Sequence, residues 1–229
     1  MSKWEVFYEQ LITQGGYKNV LLGLRNTLII AVCGLLIGII IGTLIACVQV
    51  AGKRNKIAKG FSIAGTVYTA IFRGTPIIVQ LLIFHYILFA SINIDGLLEA
   101  IIVFGLNSGA YVAEIMRGGI ESVDAGQLEA GRTLGLSYVT SMIKIVFPQA
   151  LKNVIPTLGN ELIALTKDTS VAGYVATMDL TRAFRLIASA KYEYIIPYVM
   201  LALVYFVIII IMTVIIRLIE RRLRKSEKR

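Results

Sequence analysis

The sequence predicts an all-α integral membrane protein with five transmembrane helices. Its N-terminus is expected outside and its C-terminus in the cytoplasm, with short helices on the cytoplasmic side between the third and fourth spans. Three observations carry this expectation. The 229 residues are 57% hydrophobic and only 16% charged, and a mean hydropathy of +0.77 lies outside the balance of a soluble domain. Apolar runs of roughly 20 residues, the length a helix needs to cross a hydrocarbon core, recur along the chain. Finally, 23 Lys and Arg stand against 14 Asp and Glu, a formal net charge of +9, and the positive residues cluster at particular loops, as a topology signal does.

Residues 1–16 read as an interfacial amphipathic segment, with Trp4, Phe7, Tyr8, Leu11 and Ile12 at helical spacing between Lys3, Glu5, Glu9 and Gln10. No basic stretch leads directly into a short apolar core with a cleavage site, so this is not expected to be a cleaved signal peptide. The first span covers about residues 20–50, where "GLLIGIIIG" places Gly34, Gly38 and Gly42 four apart. That spacing allows close helix contact, which lipid does not drive hydrophobically. The second span, about 60–90, is broken by "FRGTP"; the third covers about 97–117, the fourth 153–177 and the fifth 194–217.

Charge sets the orientation. Lys53, Arg54, Lys56 and Lys59 follow the first span, and Arg117, Arg132, Lys144 and Lys152 flank the loop after the third. Arg217, Arg221, Arg222, Arg224, Lys225, Lys228 and Arg229 follow the fifth, the last of them in a basic tail over 221–229. With five spans these regions share one side, the cytoplasmic one. The tail has neither a folded basic face nor aromatic platforms, so nucleic acid is not its expected partner. Cys33 and Cys47, fourteen apart in one apolar run, read as small hydrophobes and not as metal ligands. The lone His85 reads as a hydrogen-bonded packing residue.

The cytoplasmic loop 119–148 holds "LEAGRTLGLSYVTSMIKIVFPQA" within it and just beyond. Residues 122–134 suit a helix, Gly135 a left-handed cap, and Ser137 the start of the next helix. Pro148 is expected to mark the turn toward the fourth span. Glu129-Ala130-Gly131, then Gly135, then "IVFP" at 145–148 resemble the EAA loop of the permease subunits of bacterial ABC importers. Gly131 stands in place of the third Ala and Phe147 in place of Leu, and the glycine is expected to soften the first helix by about 1 kcal/mol. "FRGTPIIVQ", "NSGAYVAEIMRGGIESVDAGQLEAGRTLG" and "PQALKNVIPTLGNELIALTKDTSVAG" extend the resemblance to the polar amino-acid uptake branch. It covers residues 17–220, the expected transmembrane domain. The resemblance implies a multi-pass protein of the bacterial inner membrane, paired with an identical or different second permease. Its other implied partners are a cytoplasmic ATPase dimer, an extracellular solute-binding protein, and a polar or basic L-amino acid as substrate. Glu129, Ala130, Gly131 and Gly135 would couple to the ATPase.

The chain has no G-x-x-x-x-G-K-[ST] loop, so no catalytic residue or cofactor of its own is expected; ATP and Mg would be held by the partner. Ionisable and polar groups within spans are costly and are functional candidates by default. The fourth span carries Asn160, Glu161, Lys167, Asp168, Thr169 and Ser170. Glu161 and Asp168 are seven apart and share a helical face, and Asp168 is expected near the bilayer middle. "KDTSVAG" has the composition of a helix broken where it lines a cavity. Asp168 would meet a cationic group of the substrate, supported by Glu161, Asn160, Thr169 and Ser170, or else pair with Lys167 or Arg73. Arg73, beside Thr75, would meet a substrate carboxylate or an acidic side chain, whereas Glu114 and Arg117 would pair locally. Two other classes fit the composition: an ion-gradient-driven secondary transporter using the same carboxylates, and a non-transporting scaffold anchored by the basic tail.

Overall fold

A computed structural model describes residues 2–52, 56–175 and 177–226. The charged residues Lys53, Arg54, Lys228 and Arg229, and the side chains of Lys56, Arg224 and Lys225, lie outside the described residues. Among the described residues every regular element is helical. In order they are α1 (Lys3–Tyr8) with a π turn (Glu9–Thr13), α2 (Gly16–Gly52), α3 (Lys56–Gly74), and α4 (Ile77–Ile83) with a second π turn (Phe84–Leu88). Then come α5 (Gly96–Glu121), α6 (Ala125–Thr133), and α7 (Tyr138–Ser141), which passes through a π turn (Met142–Val146) into α8 (Phe147–Asp168). A 3-10 turn (Thr169–Tyr174), α9 (Leu180–Ala190) and α10 (Ile195–Ser226) complete the chain.

Three of these helices, over Gly16–Gly52, Gly96–Glu121 and Ile195–Arg222, are long and apolar enough to cross a membrane. A fourth candidate is the pair Ala58–Gly74 and Ile77–Leu88, bent by 106° at the FRGTP break. Pro76 has an extended ψ of 139° before α4, because its ring clashes with a continuing helix. The freed carbonyls are not left bare. Gln80 Nε2 donates to Phe72 O at 2.8 Å and Thr75 O at 3.0 Å, and Asn107 Nδ2 of α5 donates to Gln80 Oε1 at 3.0 Å. Both amides are buried, so a break deep in an apolar bundle keeps its polar groups paired.

The centre of the fold is the α2–α5 contact. Gly34, Gly38 and Gly42 are buried on α2, and a Cβ at each would lie 3.2 Å from Phe104 Cβ, 2.6 Å from Ser108 Oγ and 2.6 Å from Ala113 N. At Gly38 and Gly42 only hydrogen fits, and at Gly34 a Cβ would press on Phe104. Around this seam Ile30, Leu35, Val103, Phe104, Val112 and Met116 form the main core. A second cluster packs Phe7 of α1 with Leu180, Phe184 and Ile187 of α9 and with Met200 and Val204 of α10. The apolar residues of the N-terminal segment divide: Phe7 turns inward while Trp4, Tyr8 and Ile12 stay exposed. Ser2 and Glu5 cap it reciprocally.

Two expectations are revised. Pro148 does not interrupt the helix: residues 138–168 are helical throughout. The π turn at Met142–Val146, where Phe147 N donates to Met142 O, widens the helix just before the proline and accommodates its missing donor. Nor does the fourth apolar run extend to residue 177. The α-helix ends at Asp168 and tightens into the 3-10 turn, so Asp168 occupies its C-terminus and not a position midway along it. With its load of Asn, Glu, Lys and Asp, α8 is not among the helices apolar enough to cross a membrane on composition alone.

Replacing Gly38 with Val is expected to lower the melting temperature sharply, as overpacking costs about 1–3 kcal/mol or more. Gly118, where a Cβ would meet nothing within 4 Å, should accept Ala without loss. Equal melting curves for the two purified variants would contradict the seam.

Candidate functional site

Two polar regions stand out, an elbow on the surface and a row of carboxylates within the bundle. The elbow is built from local signals. Asp124 caps α6 through Gly126 N, and Gly135 adopts φ +83°, a left-handed turn that costs an L-residue about 1–2 kcal/mol. Ser137 Oγ accepts from Thr140 N at 3.1 Å to start α7. The expected helix, glycine cap and serine cap are therefore all present.

Glu129 and Ala130 are exposed on α6, and Gly135 is exposed at the apex. Gly131 differs: it is buried, and a Cβ there would lie 2.7 Å from Ile145 Cδ1 and 2.8 Å from Ser141 Oγ. Its glycine is a packing requirement that brings α6 onto α7, which sets the expected softening of the helix against a close contact. Sequence reasoning passed over Leu134, Val139 and Ile143, which are 82%, 62% and 61% exposed. Apolar side chains so open on a polar elbow form an adhesive surface. Their signal was present as leucines and β-branched residues flanking Gly135 in an otherwise polar loop.

Within the bundle, Glu161 is half-buried and accepts from Ser108 Oγ at 3.1 Å. Ser108 is fully buried and lies against Gly38, so the glycine seam sets where this hydroxyl points. Asp168 is exposed and makes no hydrogen bond or salt bridge with a described side chain; neither Lys167 nor Arg73 pairs with it directly. As the last residue of α8 it adds its charge to the negative end of the helix dipole. That combination attracts a cation.

The remaining candidates divide. Asn160 is exposed and Ser170 half-buried, whereas Thr169 is buried and its hydroxyl donates to Thr166 O at 2.7 Å. Thr75 is exposed, and its hydroxyl donates to Ile71 O and accepts from Gln80. Arg73 lies 3.8 Å from Glu114 and over the Tyr111 ring at 5.6 Å. Glu114 also pairs with Arg117 at 2.6 Å, the local pair the spacing implied, and Arg117 continues to Glu121 at 2.8 Å. Thus Arg73 belongs to an ion ladder along α5, away from Asp168.

Two further features escaped sequence reasoning. His85 Nδ1 lies 2.9 Å from Glu99 Oε2, and the Glu99 side chain is only 2% exposed. The lone histidine is thus a hydrogen-bonded packing residue, as its rarity implied, but its acidic partner fourteen residues on carries no local signal. The loop before α9 is the other. Asn26 Nδ2 donates to Met178 O at 2.9 Å, Thr27 Oγ1 accepts from Leu180 N at 3.2 Å, and Asp179 caps α9 through Thr181 and Arg182 N. Burial pushes the Asp179 carboxyl up from its ordinary range, and the backbone amides it binds oppose that rise. Cys33 and Cys47 are free thiols, and among the described residues no group of acidic, His or Cys side chains could hold a metal ion.

Comparison with known proteins gives this geometry its context. The arginine transport system permease protein ArtQ of Bacillus subtilis (strain 168) is 36% identical over 210 residues, covering 91% of this chain and 94% of that protein. The L-cystine transport system permease protein TcyB of the same organism is 34% identical over 190 residues, covering 82% and 81%. A crystal structure of an amino acid ABC transporter with histidines superposes with a TM-score of 0.83 at 35% identity, covering 93% of this chain and 97% of that one. The MetNI methionine ABC transporter, at 19% identity and a TM-score of 0.73, shares the fold. The family of binding-protein-dependent transport system inner membrane components matches residues 34–225. The chain is therefore a multi-pass inner-membrane permease subunit and belongs to that family.

Proposed function

We propose that this chain is one of two permease subunits of an ATP-driven importer of polar L-amino acids, receiving substrate from an external binding protein. The observation that carries the reading is the elbow: a short, capped, two-helix module with an exposed carboxylate at Glu129 and exposed apolar side chains at Leu134 and Val139. Such a surface is shaped to be held by another protein. The proposed holder is the cytoplasmic ATPase. Because residues 138–168 form one continuous helix, a push on α7 travels directly into α8, which carries Glu161 and Asp168. That helix is the proposed lever.

In this reading α8 supplies the fourth of five spans, with its polar face turned into the bundle, and the N-terminus lies outside. The positive residues after α2, around the elbow and after α10 support that orientation. Asp168, unpaired at the negative end of α8, meets the ammonium or guanidinium of the substrate, and Ser108 fixes the orientation of Glu161 beside it. The relatives transport arginine and L-cystine by name, and both molecules carry the α-ammonium that this carboxylate pair would bind.

Replacing Glu129 with Arg is expected to lower ATP-driven uptake at least tenfold while the chain still inserts and packs; co-purification with the ATPase reports the loss directly. Gly135 to Ala should act in the same direction by straining the elbow by about 1–2 kcal/mol. Undiminished uptake in both variants would count against docking. Asp168 to Ala is expected to weaken transport of L-arginine by about tenfold or more, the size of a lost charged contact, with basal ATP hydrolysis retained. Unchanged substrate selectivity would remove Asp168 from the pathway.

A further inference from the structure

A cavity with several polar side chains in its lining lies at the end of the bundle that carries the elbow. It has a volume of about 500 Å³, and its walls are the last turns of α2, the first turns of α3 and the end of α5, with Gln49, Lys59, Ser62, Thr66, Glu114 and Arg117 among its lining. The volume falls in the range of small-molecule sites, about 300–1,000 Å³. Asp168 and Glu161 do not line it.

Its chemistry is unusual in what it leaves unmet. Gln49 is 8% exposed, and its Oε1 is buried with no hydrogen-bond partner, an arrangement that costs about 1–3 kcal/mol in a folded protein. The missing partner is a donor. Lys59 is exposed and has no hydrogen bond or ion pair among the described residues, so it offers an uncommitted positive charge. Arg117 is taken up by Glu114 and Glu121 and contributes field more than a free donor. Thr66 Oγ1 already donates to Ser62 O at 3.0 Å, so its remaining capacity is to accept. One wall therefore wants an anion and the other a donor of positive charge.

We infer that this cavity binds a zwitterionic α-amino acid, its carboxylate on Lys59 and its ammonium toward Gln49 Oε1 and Glu114, as a second site distinct from the one on α8. Binding requires the Gln49 amide to turn about its terminal torsion, which is broad, so that Oε1 meets the ammonium. This inference rests on the proposed amino-acid reading of the chain. Occupancy bridges α2, α3 and α5, so amino acid accumulating on the elbow side would hold those three helices together and slow the next cycle.

The test is equilibrium binding of radiolabelled L-arginine and L-histidine to the complete solubilised transporter without its binding protein. Four forms are compared: wild type, Asp168→Ala with Glu161→Gln, Gln49→Leu with Lys59→Ala, and all four changes together. Two sites per copy of this chain are expected in the wild type, one in each double variant and none in the quadruple variant, with Lys59→Arg retaining the second site. Lys59→Ala alone, on an exposed residue, should weaken that site about tenfold, the effect of a lost charged contact, and guards against a fold defect from the Gln49 change. If the α8 variant loses all binding, or if the Gln49 and Lys59 changes alter nothing, the second site is overturned and the transport reading stands. If the α8 changes alter nothing while the cavity changes remove all binding, the cavity stands and the α8 reading falls. Retention of stoichiometric phosphatidylethanolamine that the Gln49 and Lys59 changes release, with no displacement by either amino acid, would also overturn the proposal by assigning the zwitterion to a lipid headgroup.

Discussion

The close approach of α2 to α5 is the constraint on which the rest of the structure depends. In lipid, apolar side chains gain nothing hydrophobically by leaving the acyl chains, so helices must be held by dense contact. Gly34, Gly38 and Gly42 provide it by letting backbone meet backbone, with Ser108 Oγ only 2.6 Å from where a Cβ of Gly38 would stand. The consequence is chemical as well as mechanical. Ser108, fixed by that contact, presents its hydroxyl to Glu161 at 3.1 Å, so the same seam that closes the bundle orients this half-buried carboxylate.

Polar groups elsewhere in the bundle follow the rule that an unpaired one is costly. Gln80 and Asn107 satisfy the carbonyls exposed by the Pro76 break, so the chain bends by 106° without stranding its backbone. Asn26 and Thr27 do the same for the loop before α9, and His85 answers Glu99. Against this background two buried side-chain atoms among the described residues lack a partner, Gln49 Oε1 and Ser141 Oγ, and Asp168 is exposed without one. A ligand is proposed to complete the pairing at Gln49 and at Asp168.

Much of this was legible in sequence because the signals are local. The glycine spacing of α2, the FRGTP break and the Gly135 and Ser137 caps each state their own geometry within a few residues. Family spacing then named the elbow. What stayed hidden was non-local: the reach of Glu99 to His85, the Gln80–Asn107 clamp across 27 residues, and the inward turn of Gly131. The break in "KDTSVAG" was legible from its composition, and α8 does end there at Asp168; hydropathy alone carried the fourth run on to residue 177. Pro148 is expected from sequence to mark a turn, but with a π turn before it the helix runs through it.

The central claim is that this subunit forms a translocation pathway driven by a partner's ATP hydrolysis through the elbow. The most direct measurement is uptake of radiolabelled L-arginine and L-histidine, presented with the binding protein, into proteoliposomes holding this chain with and without its ATPase. The account predicts uptake only with both the ATPase and internal ATP, and no response to an imposed proton or sodium gradient. Uptake by the permease alone, driven by an ion gradient, would contradict it.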